Sequence, residues 1–186
     1  MKKSTSISAT IINASTQSNK LFIVCPFCQM EHFIRKHFKN ALFISAPAGI
    51  LQIDTKEEAP LIKTHILQQK ITDIYSICDT NCHFIQQAVT GKQQFMLNCE
   101  YHLSVYADAS RDISTAGNKI TALQIAAIAV QHQLYILNHT ALFGAEIANK
   151  KITLHGIVSN KNQQTFYTIQ KDGLPVRIPD FNRQFN

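Results

Sequence analysis

Two short apolar runs, each ending in a cluster of cysteines where a helix should begin, constrain this chain more than any other feature. Leu21–Val24 runs into Cys25-Pro26-Phe27-Cys28, and Ile74–Ile77 runs into Cys78-Asp79-Thr80-Asn81-Cys82-His83. Short continuous apolar runs suit strands buried on both faces, as in a parallel sheet. In an open α/β sheet, ligands bind just beyond the carboxyl ends of strands, so two such ends can meet around one site. Thiolates and a carboxylate converging there would suit zinc.

The order of the remaining segments agrees with such a sheet. Met30, Phe33, Ile34, His37 and Phe38 recur at helical spacing after the first run. A second strand, Ala41–Ser45, ends at Ala46-Pro47-Ala48-Gly49, where proline and glycine break regular structure. Glu57–Lys70 reads as an amphipathic helix, with Leu61, Ile62, His65, Ile66 and Gln69 along one face. After the second run, Phe84, Ile85, Ala88 and Val89 mark a helix that stops at Gly91. A less distinct helical stretch covers 93–106, and the polar segment Ala107–Lys119 reads as a loop. Ile120–Leu137 is the strongest helix of the chain, and another runs from about Thr140 to Asn149. Ile152–Val158 and Phe166–Ile169 read as strands, paired as a hairpin across Asn160–Gln164. Strands alternating with helices predict an α/β fold: a mainly parallel central sheet flanked by helices, joined by right-handed crossovers.

Length and composition set the remaining bounds. A chain of 186 residues is most simply one domain, with 45% hydrophobic and 16% charged residues giving it a globular character. We divide it into an arm over 1–20, flexible or clasping a partner, a domain over 21–170, and an irregular tail over 171–186. The net charge of +6 is scattered, with Arg35, Lys36 and Lys39 on one helix and Lys150 and Lys151 near a strand. There is no concentrated basic stripe and no nucleic-acid motif, so no nucleic-acid partner is expected. No apolar stretch reaches membrane-spanning length, and the start carries no apolar secretory core, so a cytoplasmic protein is expected. Five cysteines are an odd number in a chain large enough to fold without disulfides. In a reducing compartment, clustered cysteines point to metal or redox chemistry.

Four readings of the cysteines remain open. The first takes Cys25, Asp79 and Cys82 as zinc ligands, since Asp79-x-x-Cys82 can aim both side chains at one point across a turn entering a helix. The second is a closed site of Cys25, Cys28, Cys78 and Cys82. The third is thiol–disulfide chemistry at Cys25-Pro-Phe-Cys28, which is similar to a glutaredoxin active site; a helix N-terminus lowers a thiol pKa. No later strand preceded by a loop proline completes that fold. The fourth treats them as ordinary buried cysteines, as Cys99 is read in any case. His32, His37 and His65 lie at helical positions beside apolar residues and read as packing or surface groups.

The arrangement resembles a β-class carbonic anhydrase. That family carries C-x-D-x-R after one buried strand and H-x-x-C after a later one, with a strand leading to a segment like R-N-A-G between them. Here Phe43–Ile50 falls at the position of that segment, and Ile74–Cys82 aligns with the second motif and its strand. His139–Gly156, with His155-Gly156, resembles the family's helix and following strand, and Val158–Tyr167 its polar hairpin. The resemblance spans roughly residues 20–170. It implies zinc held by Cys25, Asp79 and Cys82, with Asp79 in place of the ligand histidine, and Cys28 or His83 as a candidate fourth ligand. It further implies self-association as a homodimer or larger assembly, a small anion or carbon dioxide and bicarbonate as ligand, and a structural hydrogen bond for His155. The departures are equally informative: the motif aspartate is Phe27 and its arginine is Gln29. In the family that pair orients the water to be activated, a role that phenylalanine and glutamine do not fill. Two thiolates and a carboxylate would also put more negative charge on the zinc, which opposes deprotonation of water. The expectation is a divergent, carbonic-anhydrase-like zinc protein, with the missing pair arguing against hydration of carbon dioxide. The alternatives are a thiol–disulfide oxidoreductase using Cys25 and Cys28, or a non-catalytic, zinc-stapled binding module.

Overall fold

In the computed structural model, residues 19–38, 40–52, 58–94, 96–113, 120–139, 143–149, 151–169 and 176–178 are described. Six strands form one sheet: β1 (Lys20–Val24), β2 (Leu42–Ser45), β3 (Asp73–Asp79), β4 (Thr153–Asn160), β5 (Thr165–Ile169) and β6 (Val176–Ile178). Their spatial order is β2-β1-β3-β4-β5-β6. The first four are mutually parallel, whereas β5 and β6 add antiparallel strands at one edge. The expected α/β architecture with a mainly parallel sheet is therefore the observed one.

The helices are α1 (Met30–Arg35), α2 (Glu58–Gln68), α3 (His83–Thr90), α4 (Asn98–Ile113), α5 (Ala122–His139) and α6 (Gly144–Ala148). Strand alternation sends side chains to opposite faces of the sheet. From β1, Phe22 and Val24 join a core with Met30 and Ile34 of α1, while Leu21 and Ile23 pack with Ile62 and Ile66 of α2. Helix α5 buries Ile125, Ala126, Ala127, Ala129, Val130, Leu134 and Leu137. Its small alanines and the bare Cα of Gly156 let it lie close against β4. A Cβ on Gly156 would stand 2.7 Å from the side chains of both Val130 and Leu134. His155 Nε2 donates a hydrogen bond to the Asp73 carboxylate (2.8 Å) and its ring stacks on Tyr75, which is the structural role expected of it.

Two segments differ from the sequence reading. Helix α4 continues to Ile113, through the first part of the segment read as a loop. Asp108 and Arg111 stand on its exposed face, paired one turn apart. Within the tail read as irregular, Val176–Ile178 pairs with β5, because an antiparallel hairpin strand leaves an edge to be covered. The proposed arm lies outside the described residues up to residue 18, and Lys20 already belongs to β1. Among the described residues, no helix is long and apolar enough to cross a membrane.

Candidate metal centre

Strand β1 lies between β2 and β3, so the chain leaves it toward one neighbour and returns on the other side. That reversal is where open parallel sheets form a crevice beyond their carboxyl ends. Cys25 follows β1 directly, with extended backbone, and Pro26-Phe27-Cys28 then makes a single 3-10 turn closed by the Cys28 amide on the Cys25 carbonyl (3.3 Å). Pro26 fixes the first turn position. Gln29 takes a left-handed conformation (φ 54°) that ends the turn and starts α1. Across the crevice, Thr80-Asn81 turns the chain out of β3, and Cys82 stands at the entry to α3 with its amide on the Asp79 carbonyl (3.0 Å).

These two turns bring Cys25, Cys28 and Cys82 together. Their three sulfurs all lie within 4.8 Å of one another, and all three residues are buried. The Cys25 and Cys82 sulfurs are 3.8 Å apart. Tetrahedral zinc with Zn–S bonds near 2.3 Å would hold two sulfurs about 3.8 Å apart, so the observed spacing suits that metal without rearrangement. A third strand end contributes as well: the loop after β2 crosses over Cys25, and the Ala48 amide donates to its sulfur (3.2 Å). Ala48 (φ 58°) and Gly49 (φ 72°) are both left-handed there. A Cβ on Gly49 would lie 2.6 Å from the Ile77 carbonyl oxygen, so this position requires glycine. Beyond it, the Leu51 amide donates to the side-chain oxygen of buried Gln133 on α5 (2.9 Å), which ties the loop to the helix layer.

The thiols are electrostatically unequal. Hydrogen bonds from Cys28 and Cys82, with help from backbone amides, hold Cys25 well below the ordinary thiol range despite its burial. Cys28 is pushed up, first by its hydrogen bond to Cys25. Cys82 is pushed up to about 12, chiefly by the same partner. The cluster thus settles one negative charge on Cys25 and protons on its neighbours. A cation that binds thiolates would displace those protons.

Asp79 does not join this group. Its Oδ2 accepts from the Ser159 hydroxyl (2.7 Å) and the Lys161 amide (3.0 Å), and its Oδ1 accepts from the Asn81 amide (2.8 Å). The reason is register: Asp79 pairs with Ser159 across β3 and β4, so the carboxylate is captured on the β4 side. Of the expected set of Cys25, Asp79 and Cys82, the two cysteines lie together with Cys28 in a group that could hold a metal, while the Asp79 carboxylate is engaged by its three donors. Cys78 is fully buried, and burial raises its pKa well above the ordinary value. Cys99 lies on α4, where burial pushes its thiol up to about 12. His83 is exposed at the start of α3, edge-on to Phe84. Phe27 (66% exposed) packs edge-on against Phe84, and Gln29 is exposed too, so the two positions departing from the C-x-D-x-R motif lie at the surface. Sequence reasoning missed the Ala48 amide and Gln133; a glycine two residues after Pro47 was the available signal for the first.

No protein-family model matches the chain, and no curated protein matches it in sequence. Solved structures do match. The β-carbonic anhydrase CcaA superposes with a TM-score of 0.69 at 14% identity, covering 88% of this chain and 85% of that one. A β-carbonic anhydrase from Coccomyxa, solved with acetazolamide, gives a TM-score of 0.67 at 13% identity, with 92% and 82% covered. A tetrameric β-carbonic anhydrase of the filamentous ascomycete Sordaria macrospora gives 0.65 at 13% identity, with 83% and 82% covered. The chain has the β-carbonic-anhydrase fold over nearly all of its length.

Proposed function

We propose that this chain is a zinc-binding protein of β-carbonic-anhydrase fold in which Cys25, Cys28 and Cys82 hold the metal, and that it does not turn over carbon dioxide at an enzymatic rate. The sulfur spacing carries the reading: three buried thiols from two strand ends, with Cys25 and Cys82 separated by the distance that tetrahedral zinc requires. Zinc bound there would supply a Lewis acid at the head of the sheet and a staple between the turn after β1 and the start of α3.

Two features argue that hydration is not the function. Three thiolates outweigh the charge of one zinc ion, which opposes the deprotonation of water that hydration needs. The positions that carry the orienting acid and its arginine in the resemblance are an exposed phenylalanine and an exposed glutamine. Self-association belongs to the same proposal, since a structural neighbour is tetrameric. So does a reducing, cytoplasmic setting, because all five cysteines are free and buried.

Elemental analysis of protein purified under reducing conditions tests the reading. About one zinc per chain in the wild type and none in Cys82→Ser is the expected result, with no hydration above the uncatalysed rate. Metal-free wild type with a reactive Cys25 would instead favour thiol–disulfide exchange between Cys25 and Cys28, the reading that the depressed Cys25 thiol supports. Zinc together with enzymatic hydration would show that the catalytic role survives the lost pair.

A further inference from the structure

Lys161 joins two parts of the molecule that lie far apart in sequence. Its amide donates to the Asp79 carboxylate (3.0 Å), and its half-buried ammonium donates to the Cys28 carbonyl (2.7 Å). We infer that Lys161 is a positioning residue of the cysteine centre. Its side chain holds the turn that carries Cys25 and Cys28, and its charge offsets the surplus negative charge of a three-thiolate zinc site. This role rests on the zinc reading of Cys25, Cys28 and Cys82.

The Cys28 carbonyl stands where the 3-10 turn after β1 gives way to α1, at the left-handed Gln29. A charged donor on this carbonyl makes a stronger hydrogen bond than a neutral one, and so fixes the end of the turn. The base of the lysine is fixed separately. Lys161 opens the 3-10 turn Lys161–Gln163 between β4 and β5, where the Asn160 side-chain oxygen accepts from the Gln163 amide (3.2 Å). The same hairpin packs on α1: Phe166 stacks with Phe33 (5.7 Å between ring centres), and the Ser159 hydroxyl donates to the Met30 sulfur (3.6 Å). Packing brings the hairpin to the cysteine turn, so the lysine can act on that turn without carrying the fold.

The charge matters because the ligand segments bring none of their own. Neither Cys25-Pro26-Phe27-Cys28-Gln29 nor Thr80-Asn81-Cys82 contains a cationic residue. Zinc on three thiolates leaves one net negative charge among buried residues, where water solvates it poorly. A cysteine sulfur lies at most about 5 Å from the carbonyl oxygen of its own residue, which places the Lys161 ammonium within about 8 Å of the Cys28 sulfur. At that range a positive charge favours thiolate over thiol, and hence zinc over the protons it displaces.

The test measures zinc affinity of the full chain by competition with a chromophoric chelator, in the wild type, Lys161→Met and Lys161→Arg. Lys161→Met keeps the aliphatic stem but removes donor and charge, and should weaken zinc binding about ten- to hundredfold. Lys161→Arg should recover most of that loss. Acid should also release zinc at a higher pH from Lys161→Met, because protons compete better for the thiolates once the positive charge is gone. Thermal melting separates this role from a brace on the hairpin: the chelator-stripped proteins should melt closer together than the zinc-loaded ones. Equal melting losses in both forms, with acid release unmoved, would make Lys161 a structural residue only and overturn the inference. Unchanged zinc affinity in Lys161→Met would also overturn it, while leaving the zinc reading standing; a wild type that binds no zinc would sink both. Should Lys161→Met fold poorly, Lys161→Gln removes the charge with a polar tip in place, and wild-type affinity there overturns the inference equally.

Discussion

Asp79 and Cys82 stand three residues apart on one turn, and the structure uses them in opposite ways. The carboxylate turns toward β4 and is held by three donors, whereas the thiol turns toward β1 and meets two other thiols and is close enough to share a metal with them. The difference follows from what each group demands once buried. A buried carboxylate must be hydrogen-bonded, and Ser159 sits beside it by register, so it is satisfied locally and withdrawn from the crevice. A buried thiol tolerates weak partners, so the three sulfurs stay close together and remain available. Oxygen and sulfur ligands that a spacing rule treats alike are thereby sorted by the strand next door.

Removing a sulfur should break this contrast most severely. Cys28→Ser and Cys82→Ser are each expected to lower zinc affinity by more than about a hundredfold, beyond the change that an outer hydrogen-bonding partner produces. Because zinc that binds only the folded chain adds its binding energy to stability, both variants should also melt lower than the wild type and cease to respond to added zinc. Competition with a chromophoric chelator measures the first effect, and thermal scans with and without chelator the second. If Cys28→Ser keeps wild-type affinity, the third ligand must come from elsewhere.

Asp79→Ala sharpens the other half. It should keep one zinc per chain while losing about 3 kcal/mol or more of stability, since three donors from Ser159, Lys161 and Asn81 are stranded around a buried site. Urea unfolding with metal analysis of the same sample reads both quantities. Loss of zinc without loss of stability would restore the carboxylate to the ligand set and reverse the assignment made from the geometry.

Much of the scaffold was legible because buried parallel strands write themselves as apolar runs. Phe22 and Ile23 are fully buried on opposite faces of β1, so no polar alternation interrupts the run, and the cysteines that end it mark where the strand stops. The convergence of Cys25 and Cys82 followed from topology, since neighbouring parallel strands deliver their ends to the same edge. Which side chains gather in the crevice was less legible. Whether Asp79 faces the crevice depends on the partner across β4, eighty residues away in sequence, and no local pattern records that pairing. The contribution of Ala48 was hidden for a similar reason, because a backbone amide donates regardless of side-chain identity. Helix α4 was cut short because its last turns, with Asp108, Ser110 and Arg111, have the polar composition of a loop.

Gly49→Ala reaches the cysteine corner without touching a ligand. The new methyl group must move away from the Ile77 carbonyl oxygen, and a left-handed conformation is strained for alanine. The cost should be about 1–3 kcal/mol of stability. Displacing the loop also withdraws the Ala48 amide from Cys25, so zinc affinity should fall by about tenfold, the lower end of what an outer partner contributes. Asp79 lies outside that loop, so stability lost through its three hydrogen bonds should add independently in the double variant Gly49→Ala with Asp79→Ala. Strong non-additivity would mean that the two regions move as one.

The smallest expected effect lies in neither region and serves as their control. Between α4 and α5, the Tyr106 hydroxyl hydrogen-bonds His132 Nδ1 at 2.6 Å. Burial, together with the charge of neighbouring His102, lowers the His132 pKa. A histidine with a lowered folded pKa binds its proton more readily when unfolded. Its share of stability is therefore fully present above the unfolded value near 6.5 and is lost as pH falls from there toward the folded value. His132→Gln should flatten this part of the pH–stability curve by an amount smaller than any change described above, because the ring is partly exposed to solvent. Zinc release on acidification would also lower stability, through protonation of the three sulfurs. Repeating the pH series with metal removed by chelator separates the two: the His132 contribution should persist, and the part of the acid sensitivity that comes from zinc release should vanish. A curve that His132→Gln leaves unchanged in the chelated protein would assign all of the acid sensitivity outside the α4–α5 seam.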